Sequence, residues 1–152
     1  MSPIEFAHPA PAEPARVLEI RAKEDVVFED ILYLFFPDTD EGRAAGGAVL
    51  TRSYHRADGV TAVVKKESWV NQDLAIRRWN SGEGSTWSQL PEVGVPLLVA
   101  NGIHDVMEDV KQTIAMADRV PEGLTALFAH AGHGFLFQFP ERFSRLVIGF
   151  TA

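Results

Sequence analysis

The chain has no cysteine. That excludes disulfides, thiolate metal sites and a cysteine nucleophile, and it leaves the redox compartment open. Basic residues are outnumbered. Lys and Arg total 14 against 21 Asp and Glu, for a net charge of -7, which argues against nucleic acid or an anionic membrane surface as a partner. No apolar run approaches the roughly 18 residues that a membrane-spanning helix needs. The first basic residue is Arg16, so the start of the chain does not read as a secretory signal. No internal repeat is visible. A cytoplasmic location is the default that follows. What is present is ordinary for a globular protein: 152 residues, 46% hydrophobic and 23% charged, suggesting one domain with a modest core.

The informative stretch is residues 95–150. Residues 95–100, VPLLVA, form a short apolar run between Gly94 and Asn101-Gly102. That pattern predicts a strand buried on both faces, as in a parallel sheet. Met107, Val110, Ile114 and Ala117 then recur at helical spacing, predicting a helix over 107–120 that Pro121-Glu122-Gly123 stops. Residues 124–129 are a second apolar run, followed by Ala131-Gly132-His133-Gly134. A last helix carries Phe143, Leu146, Val147 and Phe150 on one face, with Pro140 suited to its first turn. Strand, helix and strand of this size make a right-handed crossover with parallel strands. Their carboxyl ends share one edge of the sheet, where open α/β sheets bind and react. Asp105 lies just beyond the first strand and His133 just beyond the second. Neighbouring strands are about 4.8 Å apart, so a histidine base and a carboxylate to orient it can meet there.

These residues carry a resemblance. Asn101-Gly102-Ile103-His104-Asp105 resembles the "hG-x-x-D" acid loop of the α/β-hydrolase superfamily, with Ile103 where the family often has a polar residue. Ala131-Gly132-His133-Gly134-Phe135 resembles its "GH" histidine loop, and acid before histidine matches the family's Ser…Asp…His order. The run AGHGFLFQFPERF is similar to small bacterial hydrolases of the cofactor-free haloperoxidase and esterase-like branch. The resemblance implies a partial α/β-hydrolase fold: a helical cap, then a β-α-β-α unit with parallel strands. It implies hydrolysis of ester-like carbonyl substrates by a serine nucleophile, with His133 as general base, Asp105 as its orienting acid, and no cofactor. The family's G-x-S-x-G nucleophile elbow is missing. Gly82-Glu83-Gly84-Ser85 has the wrong order. The glycine-rich oxyanion loop and the early strands are missing too, so the chain looks like the C-terminal half of a hydrolase, truncated or split. Without those groups, which carry most of the rate, stand-alone activity is not expected.

Upstream, residues 1–14 hold four prolines and read as extended. Residues 15–36 read as one helix ending at Phe36-Pro37. Asp38 or Thr39 suits the cap of a next helix that ends near Asp58-Gly59, and residues 67–79 read as another. Residues 80–85 are a loop, and Gln89-Leu90-Pro91 leads into the first strand. The domain reading is an N-terminal leader (1–24), a helical cap (25–92) and the β-α-β-α part of the core (93–152). FFPDTDEGRAAG and NQDLAIRRW resemble the family's cap. Phe35, Phe36, Tyr54, Trp69 and Trp79 are candidates to line a pocket beneath it, or to form the cap's own core.

Asp105 alone would also suit a helix cap, and Glu108 is a reserve acid. His104, Asp105, His130 and His133 together offer a metal set of imidazoles and a carboxylate, which the triad reading makes unnecessary. A third reading is a non-catalytic remnant or assembly subunit of a split hydrolase. It would pair with a complementing N-terminal half or with itself, since a strand whose second edge is open recruits other strands.

Overall fold

The computed structural model describes residues 14–23, 25–54 and 65–152. Residues 1–13 of the expected leader, and the expected helix end near Asp58-Gly59, lie outside the described residues. Four helices come first: α1 (Ala15–Arg21), α2 (Phe28–Phe35), α3 (Asp40–Tyr54) and α4 (Lys66–Asn80). A short 3-10 helix, Trp87–Glu92, precedes β1 (Leu97–Gly102), α5 (Val110–Arg119), β2 (Gly123–Phe128), α6 (Phe135–Gln138) and α7 (Pro140–Thr151). The architecture is helical with two parallel strands, a partial α/β fold ending in β-α-β-α.

The helix expected over 15–36 is two helices. The break falls between α1 and α2 and is fixed by a buried acid. Asp30 accepts from Lys23 Nζ at 2.6 and 2.7 Å and from the Val27 backbone N–H at 3.1 Å. Val27 has no side-chain acceptor, so Asp30 supplies the acid half of a capping box by itself. The Lys23 bond, then the Val27 bond, hold the Asp30 carboxyl below its ordinary value. The two helices also meet where the Arg16 guanidinium lies 4.0 Å above the Tyr33 ring. Val17 and Ile20, three apart on one face of α1, are buried. The next helix starts as expected: Thr39 Oγ1 accepts from the Gly42 N–H at 3.0 Å, a side-chain N-cap.

β1 and β2 pair in parallel, from Leu97 opposite Gly123 to Gly102 opposite Phe128. β1 runs two residues beyond the expected strand. Asn101-Gly102 is inside it, because Asn101 finds tertiary partners for its polar side chain. Nor is β1 buried on both faces. Leu97 to Ala100 are half-buried, only Asn101 and Gly102 are buried, and Val95 before the strand is 63% exposed. α5 packs on the sheet, but no third strand flanks it among the described residues. The expected helix over 107–120 begins later, at Val110, with Asp109 Oδ1 capping it from Lys111 N–H at 2.8 Å. Gln89-Leu90-Pro91, which leads into β1, lies in the 3-10 helix, and α6 is a helix that the pattern did not predict.

The core sits under the carboxyl end of the sheet. Phe128, Ala131 and Phe135 are buried there, with Ala100, Ala126, Leu136, Phe139 and Phe143 packed around them. The rings of Phe128 and Phe135 lie 5.1 Å apart, and Phe143 meets Phe135 edge-on at 5.4 Å. Such pairs add to simple area burial. Three of these rings come from the α6–α7 segment, so that segment is what pins the loop after β2 to the sheet. Among the described residues no helix is long and apolar enough to cross a membrane.

Candidate active site

The chemistry gathers where β1 and β2 end. Beyond β1 the chain continues as if the ladder went on: Ile103 N–H donates to Phe128 O at 3.0 Å and His104 N–H to Ala131 O at 2.9 Å. Gly102 makes this possible. A Cβ there would run into the Ala131 and Gly132 carbonyls, so the two loops touch through bare backbone. Asn101 locks the acid loop from behind. Its Nδ2 donates to Glu108 O at 3.1 Å and to Thr113 Oγ1 at 3.2 Å, while its Oδ1 accepts from Gly102 N–H at 2.8 Å. A buried amide with all these bonds is a fixed strut.

Asp105 then turns inward. Its side chain is 1% exposed. Oδ1 accepts from the Met107 and Glu108 N–H groups at 2.8 and 2.9 Å, and Oδ2 faces His133 Nδ1 at 2.9 Å. A carboxylate only accepts, so Nδ1 carries the proton and donates it. The other ring nitrogen, Nε2, is then the one with a free lone pair, and the His133 side chain remains 35% exposed. The bond to Asp105 raises the His133 pKa above its ordinary 6.5. Burial works against that rise, and the charges of Asp105 and Glu108 add to it. A buried carboxylate orienting a partly exposed imidazole is what a general base requires.

The other candidates fall elsewhere. Asp105 does not cap α5, since Asp109 does. Glu108 is exposed and acts on His133 through its charge and on Asp105 through its backbone. His104 and His130 line a cleft of about 570 Å³ with Glu41 and Phe139, a cleft that neither Asp105 nor His133 lines. No group of three or more His, Cys, Asp or Glu that could hold a metal ion occurs among the described residues, so the four-residue metal set is not assembled. Of the aromatic candidates, the Phe35 ring packs nearly perpendicular to the His133 imidazole, with centroids 5.3 Å apart. Phe36 is buried, Trp69 and Trp79 are exposed, and the side chain of Tyr54 lies outside the described residues. Gly132 and Gly134 do not turn the histidine loop through a left-handed backbone; among the described residues only Gly82 and Gly84 have positive φ. Sequence reasoning missed Asn101 and Thr113. The signal for Asn101 was an amide at the end of an apolar strand run.

The folded chain is similar to an α/β hydrolase fold protein from Chitinophaga pinensis, with TM-score 0.76 and 25% identity over 88% of this chain and 47% of that one. A looser match, TM-score 0.43 and 17% identity, is to a thermophilic esterase from Thermogutta terrifontis, over 95% of this chain and 52% of that one. The chain thus spans about half the length of these solved structures. No family model and no curated relative matches it.

Proposed function

Starting from a chain that carries part of the α/β-hydrolase fold and is related to that superfamily, we propose that it supplies the acid and base of a serine-type hydrolase acting on ester-like carbonyl substrates. The observation that carries the reading is the 2.9 Å bond between His133 Nδ1 and Asp105 Oδ2 at the carboxyl edge of two parallel strands. In this reading His133 Nε2 takes the proton of a serine hydroxyl as that oxygen attacks the carbonyl carbon, and later returns it to the leaving group. Asp105 holds the tautomer that leaves Nε2 free and stabilises the imidazolium that forms. The helices α2 to α4 serve as a cap over the site.

The sequence holds no G-x-S-x-G elbow, so the serine comes from polypeptide outside these residues. Turnover of p-nitrophenyl acetate tests this. The chain alone is expected to show only slow imidazole hydrolysis that survives replacement of every serine, Ser85 included. Co-expressed with an N-terminal hydrolase half bearing the elbow, it should turn the ester over at a rate abolished by His133→Ala. Turnover by the chain alone that vanished on replacing one serine would contradict the assignment.

A second reading, assembly without catalysis, is favoured by the two-stranded sheet. With no third strand among the described residues, the outer edge of β1 offers backbone donors and acceptors close to the exposed Val95. The chain is accordingly expected to self-associate or to bind a complementing half. Analytical ultracentrifugation at micromolar concentration that gave a monodisperse, cooperatively melting monomer would remove this reading.

A further inference from the structure

We propose that Phe35 is a positioning residue for His133, so that the helical region, and not the sheet alone, sets the base. The inference rests on the reading of His133 as a general base. Phe35 is the last residue of α2, and the carbonyls of a helix's last turn lack partners within the helix. The Phe35 carbonyl finds one outside. It accepts the Gly134 N–H at 2.6 Å, the residue directly after His133. The contact is close on a broad front. A Cβ on Gly132 would lie 3.0 Å from Phe35 O, and one on Gly134 would lie 2.9 Å from it. The two glycines that flank His133 therefore serve close approach: they let the histidine loop seat on the end of α2. The Phe35 ring completes the seat, meeting the imidazole at an interplanar angle of 77°.

The imidazole is thus held at two points from two parts of the chain. Asp105, on the β1 loop, engages Nδ1, and Phe35, on α2, fixes the backbone and one side of the ring. The buried Phe36 that follows anchors the end of α2. Any movement of α2 away from the histidine loop would loosen the ring and weaken the Asp105 bond, coupling the cover of the site to the state of its base. The charged groups acting on the ring are Asp105 and Glu108.

The test is a nuclear magnetic resonance titration of the His133 imidazole in the full chain, comparing the parent with Phe35→Leu and Gly134→Ala. Leu keeps an apolar side chain but removes the ring. Ala keeps the ring but forces the backbone seat apart. Positioning is read in both variants as a His133 pKa that moves down towards 6.5 and an Nδ1 proton that exchanges faster with solvent. Two results overturn it: a pKa and Nδ1 proton unchanged in both, or a pKa that rises in Phe35→Leu, since burial lowers this pKa and a ring that merely covered the imidazole would raise it on leaving. If Gly134→Ala does not fold, Phe35→Leu decides alone. Because no turnover is measured, a failure here is distinct from a failure of the hydrolase reading.

Discussion

Gly102 and Gly47 stand in the two regions of this molecule. A Cβ at Gly102, in the β-α-β-α region, would meet the carbonyls of the histidine loop; a Cβ at Gly47, inside α3, meets nothing within 4 Å. A similar contrast separates the apolar residues beneath the site from those of α4. Phe128 and Phe135 are buried beneath the site, whereas Trp69, Leu74 and Trp79 of α4 are exposed, Trp79 by 53%. The site is held by backbone against backbone and ring against ring. In the helical region α2 and α3 pack closely, with Leu32 and Phe36 buried and a Cβ on Gly46 meeting both, while α4 leaves its large apolar residues exposed; this region reaches the candidate site at the end of α2. A site that must hold an acid and a base within hydrogen-bond reach needs the first kind of construction. Parts that cover it, or that await a partner, can be of the second kind.

The sharpest way to break this comparison is in the core. Phe128→Ala is expected to cost about 3–5 kcal/mol of unfolding free energy, against no more than about 0.5 kcal/mol for Trp79→Ala on an exposed helix face. Urea denaturation of both variants checks it, and equal losses would erase the distinction. Next, one substitution should have opposite signs at Gly102 and Gly47. Gly102→Ala should destabilise by about 1–3 kcal/mol through overpacking. Gly47→Ala should stabilise by about 0.5–1 kcal/mol, because an unobstructed helix interior favours alanine.

The comparison also explains what was legible. Asp105, His133 and their order were readable because the spacing of strand, loop and helix places them before any packing is known. Element ends were less readable. Asn101-Gly102 looks like a strand terminator, and only the Glu108 carbonyl and the Thr113 hydroxyl keep it in the strand. Met107 and Glu108 fit the helical period, but their N–H groups go to the Asp105 carboxylate, so the helix waits for Asp109. The break between α1 and α2 has no Pro or Gly to announce it. It depends on Lys23 and Asp30, seven residues apart. The part that Phe35 plays beside His133 joins segments about a hundred residues apart in the chain, and no local pattern carries that.

A smaller effect follows from pH. The His133 pKa is raised on folding, so its contribution to stability is fully present below 6.5 and is lost as pH rises through the folded value. Unfolding free energy should therefore fall as pH rises from about 6.5 through the raised folded value, and His133→Gln should flatten that part of the profile. Any His133-dependent hydrolysis should rise over the same range, because the neutral ring is the base.

The central claim is that Asp105 holds His133 as a base, and titration of the His133 imidazole in the parent chain and in Asp105→Asn addresses it most directly. The parent ring should titrate above 6.5, with its neutral form protonated on Nδ1. In Asp105→Asn the pKa should fall below 6.5, because burial remains while the carboxylate is gone, and an amide N–H facing the ring should move the proton to Nε2. An imidazole with the same pKa and the same tautomer in both chains would contradict the account.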